Sequence, residues 1–121
     1  MTAGMTTGRQ LAGAAAEDLA ARHLERHGLE IVARNWRCRG GEIDLVARDG
    51  ATLVFVEVRL RSSRAFGGAS ASVDAHKQRR VLVAARAYLA GRAETACRCD
   101  VVALDGLDPA RVEWIRDAFG E

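Results

Sequence analysis

Two short segments of alternating charged and apolar residues, 41–46 and 54–61, constrain the fold of this chain more than any other feature. A period of two places successive side chains on opposite faces of a β-strand. Between the segments lies Asp49-Gly50, a dipeptide typical of tight hairpin turns. The sequence therefore predicts an antiparallel hairpin.

The hairpin register decides where three carboxylates of these strands lie. A two-residue turn at Asp49-Gly50 pairs Glu42 with Glu57, whereas a four-residue turn pairs Asp44 with Glu57. In both registers the three acids share one face, and Ile43 and Leu45 point to the other. A three-residue loop with a bulge would shift the faces locally. Clustered carboxylates must be protonated, paired with basic groups or bound to a cation, because opposed like charges destabilise a sheet.

Length and composition indicate an ordinary globular protein. A chain of 121 residues is predicted to form one domain, 1–121, with residues 1–6 disordered. Apolar residues make up 49% and charged residues 28%, and charges interrupt the alanine-rich N-terminal segment, so we expect a cytoplasmic protein and no membrane partner. The spacing of Cys97-Arg98-Cys99 favours neither a zinc site nor a disulfide framework.

Basic residues are concentrated in a few runs, although the net charge is only +2. Such runs are typical either of a phosphate-binding rim or of solvated basic faces. The candidates for nucleic-acid binding are Arg37, Arg39, Arg61, Arg64 and Lys77. Lys77 is the one lysine among 18 basic residues.

The remaining patterns predict a chain of seven elements in the order helix, three strands, helix, two strands. The first helix begins at Thr7 and ends near Gly28, and the second occupies 74–89. The strand after the first helix covers 29–36, a loop covers 62–72, and the last two extended segments cover 97–104 and 111–119. Glu17 lies at the edge of the apolar stripe of the first helix without a basic partner along that helix, so it needs one from elsewhere.

The acidic hairpin resembles the centre of the restriction-endonuclease-like, or PD-(D/E)XK, superfamily. Ile43-Asp44 stands at the Pro-Asp position, and Glu57-Val58-Arg59 stands at the Glu-x-Lys position. A closer resemblance is to the YraN family, uncharacterised protein family 0102. It is carried by Asn35-Trp36-Arg37, by the segments 41–46 and 54–59, by Lys77, by 98–102 and by Ala118-Phe119.

The resemblance implies an α/β fold of the α+β type, with an α-β-β-β-α-β core and a mixed central sheet flanked by helices. It also implies a metal-dependent DNA endonuclease similar to Holliday-junction resolvases, which form homodimers. By the same resemblance the catalytic residues are Asp44, Glu57, Arg59 and Glu17. The ligands for Mg²⁺ or Mn²⁺ are Asp44, Glu57 and Glu42, whose hard carboxylate oxygens suit either ion.

Arg59 departs from the lysine of the superfamily. An arginine stays protonated at any usable pH, so it can stabilise negative charge but cannot act as a base. The sequence does not decide whether Arg59 or Lys77 takes over the lysine function. Two alternatives remain: a catalytically impaired nucleic-acid-binding module, and a structural protein whose acids pair with Arg59 and Arg61.

Overall fold

The computed structural model describes residues 8–61 and 74–120, and side chains only from residue 13 onward. The elements follow the predicted order: α1 (Gly8–Arg26), β1 (Glu30–Cys38), β2 (Gly41–Asp49), β3 (Thr52–Arg61), α2 (Ala75–Leu89), β4 (Cys97–Asp105) and β5 (Val112–Phe119). The predicted Thr7 start of α1, the disorder of 1–6 and the loop 62–72 with Arg64 lie outside the described residues. No helix within these ranges is long and apolar enough to cross a membrane.

The strands form one five-stranded sheet in the order β1-β2-β3-β4-β5. β2 and β3 are antiparallel, which confirms the predicted hairpin, whereas β3 and β4 are parallel. Parallel neighbours require a crossover connection, and α2 lies within it. The mixed sheet between two helices confirms the fold class predicted from the sequence.

Each helix covers its own cluster of buried side chains. α1 packs through small residues, Ala16, Ala20 and Ala21, against Leu45, Val54, Val56, Val102 and Leu104. α2 packs through Val81, Ala84, Ala85 and Tyr88 against Ile43, Val46, Leu53, Phe55 and Cys99. The central strands are therefore buried on both faces, and polar groups reach solvent mainly at the strand ends.

The hairpin turn lies one residue beyond Asp49-Gly50, the first of the two turns that the sequence allowed. Asp49 pairs with Thr52 and Leu45 pairs with Val56, so the turn residues are Gly50 and Ala51. Gly50 has a φ of 61° and Ala51 has no positive φ, the pattern of a type II′ turn with glycine first. Of the two registers that the sequence left open, the observed one brings Asp44 opposite Glu57, and the two-residue turn at Asp49-Gly50 is not formed.

The expected alternation along β2 breaks at Asp44. Ile43 belongs to the α2 cluster and Leu45 to the α1 cluster, so the prediction that they share a face is wrong. The break coincides with Asn35 on β1, whose φ is 50° and which has no ladder partner in β2. A residue with left-handed backbone interrupts the pleat, and the neighbouring strand follows that irregularity.

Gly41 allows α2 to lie directly on the start of β2. A Cβ atom at Gly41 would meet the backbone carbonyl of Arg80, and would lie 2.8 Å from the Ala84 nitrogen and 3.1 Å from the Ala84 Cβ. Backbone atoms of a helix cannot move away separately. The lack of a side chain at Gly41 therefore sets the distance between α2 and the acidic hairpin.

We predict that Gly41→Ala lowers the free energy of unfolding by about 1–3 kcal/mol, because the added methyl group forces α2 away from β2. Urea denaturation of the wild type and the variant measures this change. Gly13→Ala is the matched control, since nothing lies within 4 Å of a Cβ there. In the interior of α1 that change should stabilise by roughly 0.5–1 kcal/mol. Equal stability of Gly41→Ala and the wild type would contradict the packing described here.

Candidate active site

Two acidic residues of the hairpin meet where β2 and β3 emerge from the core. The side chains of Asp44 and Glu57 are in hydrogen-bonding contact. Asp44 Oδ2 also accepts a hydrogen bond of 2.8 Å from the backbone N–H of Val58. Only 4% of Glu57 is exposed. The structure thus brings together the two residues that the sequence predicted as principal metal ligands.

The surroundings of Asp44 oppose its negative charge. Burial is the largest influence and the neighbouring Glu57 carboxylate the next, and together they raise the pKa of Asp44 to about 7. The Val58 amide and the Lys77 ammonium act in the opposite direction but do not compensate. Below about pH 7 Asp44 therefore retains a proton that an ordinary carboxylate would have released, unless a cation takes its place.

Lys77 joins the two acids from the first turn of α2. Its Nζ atom lies 3.1 Å from Glu57 Oε2, and 46% of the lysine side chain is exposed. The N-cap of α2 fixes this turn, because Asp74 Oδ1 accepts a 2.9 Å hydrogen bond from the Lys77 backbone N–H. The lysine is therefore held with its ammonium at the pair, while part of its side chain stays exposed to solvent.

A concave surface opens beside this contact, lined by Glu42, Glu57, Lys77, Arg80 and Val81. We call it the acidic cleft. Glu42 lies at its rim, where Oε1 accepts a 3.0 Å hydrogen bond from Arg80 Nη2. The sequence pattern did not identify Arg80 as a site residue. Its position three residues after Lys77 on the same helix face is the signal that could have identified it.

Glu17 approaches the pair from α1. Its Oε1 accepts a 3.0 Å hydrogen bond from Asn35 Nδ2, which supplies the partner that the sequence required from elsewhere. Burial raises the pKa of Glu17, the Asn35 hydrogen bond lowers it, and the Asp44 charge raises it again. Asn35 was also missed as a site residue. Its left-handed backbone places its side chain toward α1.

The predicted basic residues occupy different places. Arg37 is the ladder partner of Glu42, and Arg39 is exposed in the turn between β1 and β2. Arg61 lines a separate concavity near Arg111 and Glu113. Arg59 is half-buried two residues after Glu57, and its Nε atom is buried without a hydrogen-bond partner in the part of the chain that the structure describes. Arg64 lies outside the described residues.

A second buried acid, Asp100 on β4, shows how this fold satisfies a carboxylate that is structural. Asp100 is fully buried and accepts hydrogen bonds from the Arg98 guanidinium, from Trp114 Nε1 at 2.9 Å and from the Asp117 backbone N–H at 2.9 Å. Buried carboxylates are normally compensated in this way. Asp44 has one amide and an acidic neighbour instead, and no ion pair within the described ranges.

Comparison with known proteins identifies relatives along most of the chain. A sequence model of the uncharacterised protein family UPF0102 matches residues 16–104, a range that contains Glu17, Asp44, Glu57 and Lys77. A UPF0102 protein of Dechloromonas aromatica (strain RCB) is 58% identical over 88% of this chain and 87% of its own length. A relative in Cupriavidus taiwanensis is 62% identical over 92% and 84%. These matches confirm the predicted family resemblance.

We predict that the stability of the metal-free protein falls as pH rises from about 4 to about 7. In this window the native state retains the Asp44 proton that the unfolded chain, with an ordinary pKa of 3.8, has already lost. Asp44→Asn removes the titration, so this variant should be more stable than the wild type at pH 8, by on the order of a few kcal/mol. The difference should shrink toward pH 4.

Denaturation in EDTA across this pH range measures the effect. Asp18→Asn is the control, because Asp18 is 52% exposed in an ion pair with Arg34. A stability difference between wild type and Asp44→Asn that stays constant with pH would contradict the prediction.

Proposed function

The chain belongs to the uncharacterised protein family UPF0102, and we propose that it is a metal-dependent nuclease that hydrolyses DNA phosphodiester bonds at the Asp44–Glu57 pair. One observation supports this most strongly. Two adjacent carboxylates are withdrawn from water beside an open cleft, and the Lys77 ammonium, which acts on both, does not compensate their charge. The negative charge of such a site is not fully compensated, so the binding of a further cation is favoured.

The donor set fits a hard divalent cation. Carboxylate oxygens suit Mg²⁺ and Mn²⁺, and Mg²⁺ is usually bound by one or two carboxylates, with waters and substrate phosphate completing the coordination. The described ranges contain no group of three or more acidic, histidine or cysteine side chains close enough to hold an ion. Asp44 and Glu57 would hold the ion, with Glu42 available from the rim once released from Arg80. Bound there, the ion would supply Lewis-acid stabilisation of phosphate charge and a more acidic water.

Lys77 is our candidate for the lysine function of the superfamily. Its Nζ atom already contacts Glu57, and a lysine ammonium can orient a water and lose a proton when its surroundings favour this. Arg59 stays charged at any usable pH, so its role is to offset the negative charge of the phosphate. In this proposal Lys77 and Arg59 together take the two roles that a single lysine has in the PD-(D/E)XK superfamily.

The surrounding arginines suit an anionic polymer. Arg80 lines the cleft, Arg37 is the ladder partner of Glu42 at its rim, and Arg39 is exposed in the turn between β1 and β2. Their contacts would be with phosphates, which give affinity without sequence preference. Arg61 and Arg64 stay candidates for the same role. DNA as the substrate, a cytoplasmic location and a homodimer with two sites belong to this proposal.

A nucleic-acid-binding module without turnover is the second candidate. It is favoured by Arg59 at the lysine position and by the ion pairs that occupy Glu42 and Glu57. A purely structural role is less well supported, because the partners of those two acids come from α2 and leave a cleft open between the elements. The two candidates differ in whether any phosphodiester bond is cleaved.

We predict cleavage of single-stranded, duplex, flap or junction DNA in the presence of Mg²⁺ or Mn²⁺. Asp44→Asn and Glu57→Gln should each lower the rate at least about 10²-fold, because each removes one charge from the pair. Glu113→Gln is the control, since Glu113 is an exposed glutamate on β5. Gel assays with end-labelled DNA measure the rates. Wild-type protein that binds these substrates but cleaves none of them would select the second candidate.

We further predict that Lys77→Gln lowers the cleavage rate about 10²-fold, whereas Arg59→Lys retains activity, because the lysine function comes from α2. The dependence of the cleavage rate on pH separates the two roles, because Lys77 can lose a proton whereas Arg59 stays charged. A large gain of activity in Arg59→Lys would contradict this division and indicate that the natural site is impaired.

A further inference from the structure

A group of aromatic and basic side chains lies where the C-terminal turns of α1 meet β5, away from the acidic cleft. Its members are His23, Arg26, His27, Trp114 and Arg116, and we call it the aromatic-basic platform. The His27 and Trp114 ring centroids are 5.5 Å apart, and the His23 and Trp114 centroids are 6.1 Å apart, both edge to face. The Arg116 guanidinium lies over the Trp114 ring, 4.0 Å from its centroid.

The indole of Trp114, at the centre of this platform, is held in place by a hydrogen bond to a buried side chain. Trp114 Nε1 donates a 2.9 Å hydrogen bond to Asp100, which is fully buried and held by Arg98 and the Asp117 backbone. The ring also packs against the α1 cluster, so its plane cannot rotate freely. A rigid, half-buried aromatic ring under an exposed guanidinium presents a stacking surface that needs little ordering when a ligand binds.

Positive charge accumulates around this ring. Arg26, His27 and Arg116 are exposed, and Arg22 lies one turn before Arg26 on α1. Burial lowers the pKa of His23, and the neighbouring His27 and Arg26 lower it further. Arg116 makes no ion pair within the described ranges. Like charges gathered without acidic partners repel one another, and an anionic ligand would relieve that repulsion.

Another cation–π pair among the described residues, Arg92 with Tyr88, differs in the burial of its aromatic ring and in the hydrogen bond of its arginine. Arg92 lies 4.2 Å from the centroid of Tyr88, but Tyr88 is only 7% exposed and belongs to the α2 cluster. Arg92 Nε also donates a 2.6 Å hydrogen bond to the Tyr88 carbonyl, which closes the C-terminal turn of α2. That pair is part of the packing of the helix end, and it provides a matched control.

We propose that the aromatic-basic platform binds single-stranded nucleic acid, with a base stacked on the Arg116–Trp114 pair and phosphates contacted by Arg26 and Arg116. Stacking on aromatic rings and on arginine planes beside a basic groove is how proteins bind unpaired bases. The inference rests on the proposed function for the class of partner, but it does not require cleavage. His27 follows the last residue of α1 and lies ten positions after Glu17, so the platform lies about 15 Å along the helix from Glu17.

The test measures binding of a labelled oligodeoxythymidine to the full chain in EDTA, at several salt concentrations, by fluorescence anisotropy. We expect the double variant Arg26→Gln, Arg116→Gln to bind about tenfold more weakly. Its slope of log K against log salt should be smaller by about 1.4, since each lost contact to a single strand removes about 0.7. Arg92→Gln should bind like the wild type. Both arginines at the platform are exposed, so their loss should leave the thermal melting temperature nearly unchanged.

A second readout reports on stacking itself. In a Trp36→Phe background Trp114 is the remaining tryptophan, and oligodeoxythymidine should quench its fluorescence while a duplex of equal length quenches it much less. Equal losses of affinity in Arg92→Gln and in the double variant, or an absence of quenching, would overturn the platform. If the protein binds oligodeoxythymidine and shows Trp114 quenching but cleaves no DNA, only the nuclease proposal is overturned. If it cleaves DNA but shows neither this binding nor the quenching, only the proposed role of the platform is overturned.

Discussion

The burial of two carboxylates side by side is the constraint on which the rest of this site depends. Asp44 and Glu57 are adjacent because the hairpin register pairs their strands in one of the two ways that the sequence allowed. Removing both from water raises the pKa of Asp44 to about 7, and Lys77 compensates only in part. Apolar residues of similar volume often stabilise a buried site as well as or better than charged ones, so packing alone does not explain the pair.

The neighbouring elements are built so that this pair meets solvent on one side. The absence of a side chain at Gly41 lets α2 approach β2, and the Asp74 cap then orients the turn that carries Lys77. On the other side the irregular backbone of Asn35 turns an amide toward Glu17. Asp100 shows the contrast, because its donors satisfy it completely and its role is to hold β5 in place.

The periodicity of the sequence predicted much of this fold, because each segment contains its own signal. The hairpin, the order of elements and the convergence of Asp44 with Glu57 follow from alternation and from glycine positions. The turn position did not follow, since Asp49-Gly50 and Gly50-Ala51 are both acceptable locally and the type II′ geometry decides between them. The break at Asp44 and the approach of Arg80 depend on contacts between distant segments, which no local pattern contains.

In the proposed site a divalent cation compensates the negative charge that Asp44 and Glu57 share. Carbon-13 NMR of the side-chain carboxyl groups, titrated from pH 4 to pH 9 with and without Mg²⁺, tests it directly. Without Mg²⁺ the Asp44 resonance should titrate near pH 7, and with Mg²⁺ its midpoint should fall by at least about one pH unit, because the ion binds the ionised form. An Asp44 midpoint near the ordinary value of 3.8, unaffected by Mg²⁺, would contradict the account.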